Sequence, residues 1–465
     1  MLVGAALRFA TLDLQSFSHD EAVTAARVLQ PGLGNTVDAV ADSERNPPLY
    51  YLLAWLWSQP FGLGEVGLRS LSALLGAATI PFAFLAGKEL VSRQTGLIAC
   101  WLVAVNPFLI FYSQEARSYA LVVLLGTIAL WLFALSLAEP SNRNLAWWAA
   151  ASSLALCSHY FAVFPFAVQA AVLVLRSPAR RRVAVAVAVP VVVGLALLPL
   201  ALDQGSAHGG SGGAPGLSEV TTVPVQFLLG ERLGISGVYT LTRPAGLLFF
   251  ACVGGLIAIA WRRRQAGALL SGAIAVAAIG GPLLLALGGA DSLGGDGLFS
   301  GKNAIEAVVP LSVLGAFGFT LLPEGVPRFA AAGVACFLLA GAVIAATSVT
   351  GMQRPDWRAA ASAIPDDAPA AIVGGPGGDD PLLLYLEERG IERMPDAGAT
   401  VRAISVAAEE SEPDLDGAPE GFESVAGTEV DAIEVRTHRV RVPRKLTPEL
   451  ITTQSDWTVL LLPAR

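Results

Sequence analysis

Charge is what this sequence has least of. Only 15% of its 465 residues are Asp, Glu, Lys or Arg, while 54% are hydrophobic and the mean hydropathy is +0.59. A soluble chain carries roughly a quarter of its residues as charges to cover its surface, so a wholly water-soluble protein is excluded. Cysteine is scarce too. The four present, Cys100, Cys157, Cys252 and Cys336, all lie inside apolar runs. That reads as packing, and excludes a disulfide framework or a cysteine metal cluster. Lys and Arg together number 30 against 38 acidic residues, and the C-terminal tail is acidic, so nucleic acid, whose phosphates need Lys and Arg, is not an expected partner. A nucleotide-phosphate loop is also missing. Gly374-Gly-Pro-Gly-Gly378 has neither the GxxxxGK[ST] lysine nor the GxGxxG order and reads as a turn.

Long apolar runs are what the chain has instead. Candidate spans lie at 1–17, 67–87, 94–112, 117–137, 145–158, 160–175, 183–203, 244–261, 267–290, 304–322 and 328–349. A bilayer crossing needs about 20 apolar residues. The first stretch just reaches that length, so either the first span is short or the natural start lies upstream. The run 47–60, NPPLYYLLAWLWSQ, is half long enough, and its Tyr50, Tyr51, Trp55 and Trp57 suit an interfacial helix.

The basic clusters Arg176–Arg182 and Arg262–Arg264 orient the spans through the positive-inside rule. With 47–60 lying in the interface, the count is eleven spans. The N-terminus is then inside, and the loops 18–60, 204–243 and 291–303 and the C-terminal tail are outside. Gly205–Gly216 opens the second of these loops as a flexible Gly/Ser-rich stretch. The tail is a different material, holding 21 of the 38 acidic residues from Asp356 onward. Short β-prone runs at Ala370–Val373, Val401–Val406 and Trp457–Leu462 flank a helical stretch at Leu382–Arg389. The expected architecture is therefore mainly α: a polytopic membrane domain over 1–350, and a small soluble α/β domain over 351–465.

The polar clusters that could carry chemistry fall at the outer ends of apolar runs. They are Asp20-Glu21, Glu44-Arg45-Asn46, Gln114–Tyr119, His159-Tyr160 and Lys302-Asn303. Ionisable groups at membrane depth are costly and are usually retained for a site. Asp20 reads equally as a helix N-cap or as a general base. Arg117 and Lys302 either snorkel to the interface or hold a phosphate. His159 is either a hydrogen-bonded turn residue or part of a site.

These residues also carry a likeness. Leu7-Arg8 followed by Ser16-Phe-Ser-His-Asp20-Glu21-Ala22 resembles the Asp-Glu signature of integral-membrane glycosyltransferases of the GT-C superfamily. The nearest group is the protein mannosyltransferase and aminoarabinose transferase-like one, similar to glycosyltransferase family 39. Asn46-Pro-Pro-Leu-Tyr-Tyr51, Gly67-Leu-Arg-Ser-Leu-Ser-Ala73, Asn106-Pro-Phe with Tyr112–Tyr119, His159-Tyr160 and Asp356-Trp-Arg358 follow in the order of that group. The resemblance covers 1–175 well, 300–360 loosely and the tail hardly at all. His19, where an aromatic residue often stands, and Asn46, where a His often stands, depart from it.

The resemblance implies a sugar transferase of the cell envelope, working on the outer face of the inner membrane. The donor is a polyprenyl-phosphate sugar, and the acceptor a hydroxyl of a glycan, lipid or protein. Asp20 is the implied base, with Glu21 orienting the acceptor or neighbouring groups. Arg117 and Lys302 are implied to hold the donor phosphate. Asn46, Tyr50, Glu115, Tyr119, His159, Tyr160 and Asn303 are the implied substrate-binding residues. No organic cofactor is implied. Some relatives by fold use a divalent metal, but no external cluster of three carboxylates is visible here, which argues for metal independence. A transporter or flippase would also use intramembrane charges, but it usually shows repeat symmetry and broken helices near the midplane. Neither is apparent in the sequence. Sugar transfer by the purified protein separates the two.

Overall fold

The structure, a computed structural model, describes residues 1–207, 214–231, 239–288, 298–348, 353–364, 370–374, 379–388, 400–409, 423–430, 433–445 and 458–461. Residues 208–213 of the Gly/Ser-rich stretch, 289–297 of the third outer loop and 375–378 of the glycine run lie outside the described residues. The chain divides into two compact units. One is Met1–Leu12 with Val28–Ser348; the other is Asp13–Arg27 with Val349–Arg465. The break at 348 falls close to the expected boundary. The capture of Asp13–Arg27 by the second unit was not expected.

The first unit is helical. Among the described residues, seven helices are long and apolar enough to cross a membrane: Glu65–Leu90, Tyr119–Ala138, Arg180–Gly205, Thr242–Arg262, Ala266–Leu287, Lys302–Thr320 and Val326–Ser348. Arg93–Ala104 and Pro107–Ser113 form a bent pair with a 57° angle that could make an eighth. The other three of the eleven expected spans are shorter helices, Leu2–Phe9, Asn142–Leu156 and Val163–Arg176. At 1.5 Å per residue, none of the three alone reaches the roughly 30 Å of a hydrocarbon core. The chain is an integral, multi-pass membrane protein. The stretch 47–60 is a 13-residue helix, Leu49–Phe61.

We number the helices α1 (Leu2–Phe9), α2 (His19–Val23), α3 (Leu33–Ser43), α4 (Leu49–Phe61), α5 (Glu65–Leu90), α6 (Arg93–Ala104), α7 (Pro107–Ser113) and α8 (Tyr119–Ala138). Helix α8 is apolar all round and sits at the centre, with 72% of its most apolar window buried, whereas Val326–Ser348 buries only 11% and turns the rest outward. Helices α5 and α6 approach through glycine. A Cβ on Gly87 would lie 2.9 Å from Gly96 Cα, and one on Gly96 would lie 2.4 Å from the Phe84 carbonyl oxygen. Without a hydrophobic drive between helices in lipid, such small residues let dispersion contacts form.

The bend between α6 and α7 has a local cause. Asn106 caps α7 by accepting the Leu109 N–H at 2.9 Å, and Pro107 at its first position cannot continue the α6 hydrogen-bond ladder. The carbonyls at the end of α6 would be left unpaired. Arg8 satisfies them: it is 1% exposed and donates to the carbonyls of Ala104 at 3.0 Å and Val103 at 3.1 Å, and to Ser113 Oγ at 3.1 Å. Gln114 in turn donates to the carbonyls of Leu7 and Arg8 at the end of α1. The short first helix is thus bolted to the bend.

The second unit holds a five-stranded sheet, β1 (Ala370–Gly374), β2 (Thr400–Glu409), β3 (Glu423–Val430), β4 (Ile433–Lys445) and β5 (Thr458–Leu461), in the order β3-β4-β2-β1-β5. Only β1 and β2 run parallel, and the helix Asp379–Glu388 lies between them in the chain, as a parallel crossover requires. The expected runs at 370–373, 401–406 and 457–462 correspond to β1, β2 and, within the described residues, β5. Strands β3 and β4 are additional.

Candidate active site

The polar residues singled out in the sequence gather in two clusters, one in each unit. In the second unit, Asp20 and Glu21 open α2, a five-residue α-helix that runs on into a π-helical turn at Thr24–Val28. Ser18 is its N-cap. The Ser18 Oγ accepts the Glu21 N–H at 3.4 Å, while Glu21 Oε2 accepts the Ser18 N–H at 3.0 Å and the Ser18 hydroxyl at 3.2 Å. This reciprocal capping box satisfies two otherwise unpaired backbone donors. The same Glu21 oxygen accepts Arg354 Nη1 at 2.6 Å, with the Glu21 side chain 0% and the Arg354 side chain 7% exposed. Ser18, rather than Asp20, is therefore the cap. The Glu21 side chain is wholly buried, and Ser18 and Arg354 share its Oε2. Asp20 is half-buried, and its carbonyl accepts the Thr24 hydroxyl at 3.0 Å.

The first unit gathers the second cluster around Arg117. Its Nη1 donates to Glu44 Oε1 at 2.6 Å, and Glu44 Oε2 accepts the Tyr51 hydroxyl at 2.6 Å. The guanidinium carbon lies 5.8 Å from the centre of the Tyr51 ring. All three residues are buried. Burial pushes the Tyr51 phenol well above its usual range, with the Arg117 charge working the other way. Tyr119 packs edge-on against Tyr112 with ring centroids 4.8 Å apart, and 6.0 Å from the His159 ring. His159 caps a short 3₁₀ turn, its Nδ1 accepting the Phe161 N–H at 3.3 Å. Burial pushes its imidazole down to about 3, helped by the charges of Lys302 and Arg117, both near enough to act on the ring.

Arg117, Tyr119, His159 and Lys302 are thus brought together, with buried Glu115 two residues before Arg117 in the chain. Other expected substrate-binding residues have partners of their own. Tyr50 is 0% exposed, and its hydroxyl shares a 3.1 Å hydrogen bond with Ser72 Oγ, so Tyr51 rather than Tyr50 faces the charged cluster. Tyr160 donates to Gln204 Oε1 at 2.8 Å, and Asn303 Nδ2 to the Leu298 carbonyl at 3.0 Å. Asn46 is buried, 7% exposed.

Two residues of these clusters were not singled out in the sequence, and a third, Glu44, only as a member of a polar cluster three residues before Pro47. Glu231 accepts the Tyr112 hydroxyl at 3.1 Å and Gln226 Nε2 at 3.0 Å. Arg354 lies between the last span and the tail. Nothing local marks Arg354, whose partner Glu21 is 333 positions away; Glu231 pairs locally with Gln226, but its tie to Tyr112 spans 119 positions. Among the described residues, no group of three or more His, Cys, Asp or Glu is placed to hold a metal ion.

Known proteins agree with this arrangement at the level of fold. The chain superposes on ArnT from Cupriavidus metallidurans bound to undecaprenyl phosphate with a TM-score of 0.59, covering 97% of this chain and 98% of that one at 14% identity. It superposes on the same protein's apo state at 0.55, covering 94% and 96% at 15% identity. At these identities the likeness is one of fold. The family model described as dolichyl-phosphate-mannose-protein mannosyltransferase matches residues 45–202, about a third of the chain. The resemblance read from the sequence is borne out in fold by these structures and, over residues 45–202, by the family model, which takes in Pro-Pro-Leu-Tyr-Tyr but not the Asp-Glu pair. No curated protein matches the chain by sequence.

Proposed function

We propose that this GT-C-fold protein transfers a sugar from a polyprenyl-phosphate donor to an acceptor hydroxyl on the outer face of the inner membrane. Asp20 is the general base. It takes the acceptor proton as the acceptor oxygen bonds to the anomeric carbon, and the bond from that carbon to the phosphate oxygen breaks on the opposite face. One displacement inverts the centre through an oxocarbenium-like transition state. The leaving phosphate needs its charge stabilised more than it needs a proton, and Arg117 and Lys302 supply that charge.

The asymmetry of the acidic pair carries this reading. Glu21 is saturated by Ser18 and Arg354 and wholly buried, whereas Asp20, one residue earlier on the same turn, is half-buried. A base needs a carboxylate held on a fixed turn and within reach of a substrate. The lipid phosphate bound by ArnT, a protein of the same fold, supports the choice of donor class.

The experiment is transfer by purified protein from synthetic polyprenyl-phosphate sugars to glycan, lipid and peptide hydroxyls. The expected loss in Asp20→Asn is about 10²–10⁴-fold, the usual worth of a general base. Equal transfer by wild type and Asp20→Asn would overturn the role of Asp20.

A further inference from the structure

The segment Asp13–Arg27 belongs by packing to the unit formed by the C-terminal tail. This has a physical reason. Helix α2 with the five-residue π-helical turn Thr24–Val28 that continues it is still short of the roughly 12–15 residues below which isolated helices are marginal, since nucleation is costly. The order of α2 must be supplied from elsewhere, and the contacts are specific. Ser16 Oγ donates to the Pro355 carbonyl at 2.9 Å and accepts the Trp357 N–H at 3.2 Å. The Phe17 N–H donates to the Tyr385 hydroxyl at 2.7 Å. Arg354 pairs with Glu21 at 2.6 Å.

The Arg354 contact differs in kind from the others. Those fix the chain before the helix; this one reaches the residue directly after Asp20. It is also a buried charge pair, so removing the cation strands a buried carboxylate that already serves the capping box. Glu21 then has to protonate, take up water or swing out, and each of these loosens the Ser18–Glu21 box that defines the turn.

We propose that Arg354 is a positioning residue for sugar transfer. Through its buried pair with Glu21 it fixes the capped turn that carries Asp20, so the C-terminal unit is part of the catalytic machinery. The proposal rests on the reading of Asp20 as the base.

The test uses the full-length protein in lipid nanodiscs, with two readouts: steady-state transfer, and amide hydrogen exchange. In Arg354→Gln, kcat falls by about tenfold or more while the donor KM stays within about twofold, the pattern of a group that acts in the transition state and not in binding. Exchange across 16–24 speeds up, while exchange in the β4 strand 433–445 does not. Arg354→Lys, which keeps the charge but not the fork, recovers part of both. Asp20→Asn with Arg354→Gln is no slower than Asp20→Asn alone, because Arg354 acts through Asp20.

Unchanged exchange across 16–24 in Arg354→Gln overturns the clamp. Faster exchange there with kcat retained overturns the positioning role. If Arg354→Gln loses protection in β4 as well, the Lys variant is judged by the same two criteria. Wild-type protein that transfers no sugar sinks the glycosyltransferase reading and the catalytic half of this proposal, while the exchange data still decide whether Arg354 holds the turn.

Discussion

Arg117 and Glu44 form a buried ion pair at 2.6 Å, with side chains only 8% and 2% exposed. The geometry alters what Arg117 can do. A guanidinium offers five donors, and Glu44 takes at least one of them at its Oε1. On the proposed reading, the donor phosphate meets a cation already oriented by a carboxylate and by the Tyr51 ring. That favours a fixed fork over a mobile charge, at the cost of part of its attraction.

The pair should behave as a unit. Arg117→Ala or Glu44→Ala each strands a buried charge and should destabilise the protein by about 3–5 kcal/mol. Replacing both with apolar residues, Arg117→Met with Glu44→Leu, should cost less than the sum of the single changes. Thermal unfolding in detergent gives the cycle, and strict additivity would speak against the pair. Where protein survives, Arg117→Ala and Lys302→Ala should both weaken donor binding. Unchanged donor affinity in both would refute the phosphate role.

The capping box gives a smaller and more local effect. Ser18→Ala removes the acceptor of the Glu21 N–H and one donor to Glu21 Oε2. The expected cost is about 1 kcal/mol. Trypsin cleavage at Arg27, an exposed residue just after this turn, should quicken. A cleavage rate equal to wild type would show that the box does not hold the segment.

How much of this was legible beforehand differs by kind of contact. The multi-span character was legible because lipid imposes length and composition locally, as in Tyr119–Ala138, although three of the eleven expected runs are helices too short to cross alone. The break after Ala104 did not, because 94–112 is apolar throughout and its 57° bend depends on Asn106-Pro107 and on a guanidinium from Arg8. Strand β4 carried a signal that went unread. Ile433, Val435 and Thr437 alternate with Glu434 and Arg436, and all three are buried, 0%, 3% and 5% exposed. The strand is basic, with five Lys or Arg against Glu434 alone, in an otherwise acidic tail, and that charge masked the alternation. In the site, Asp20-Glu21 was visible as a pair. The division of labour within it was not, because that depends on Arg354, a residue 333 positions away.

Helices α5 and α6 should be intolerant of side chains at their glycine contact. A Cβ at Gly96 meets the Phe84 carbonyl oxygen at 2.4 Å and the Lys88 nitrogen at 2.9 Å, both backbone atoms that cannot move aside cheaply. Gly96→Leu should lower the melting temperature markedly. Gly333→Leu, on the helix Val326–Ser348 with nothing within 4 Å of its Cβ, should not. Equal effects of the two would remove the close-packing argument.

The topology can be checked at two sites. Glu219 is exposed on the helix Leu217–Leu229 in the loop assigned to the outside, and Arg263 is exposed in a basic cluster assigned to the cytoplasm. After the four native cysteines are replaced, Glu219→Cys should react with a membrane-impermeant maleimide in intact cells. Arg263→Cys should react only after lysis. The reverse pattern would invert the protein in the membrane and place the loop assigned to the outside in the cytoplasm.

His159 should titrate far from its ordinary range, in a direction that can be measured. Its imidazole is pushed down from 6.5 to about 3, first by burial and then by Lys302 and Arg117. Above pH 6.5 it is neutral in the folded and the unfolded chain alike, so it contributes no pH dependence there. Between about 6.5 and 3 the unfolded chain binds a proton that the folded one does not, and stability falls as pH falls. Below about 3 both forms are charged and the penalty no longer grows. Carboxylates titrate over part of the same window, so the comparison is with His159→Gln, whose side-chain oxygen can still accept the Phe161 N–H. Melting temperature followed from pH 7 to pH 4 should fall more steeply in wild type than in the variant. Transfer rates for the two proteins should show no separate limb near pH 6.5 that disappears with the substitution. Parallel melting curves, or a limb near 6.5 present only in wild type, would mean that His159 is protonated in the folded protein and that the two cations do not act on it as the geometry indicates.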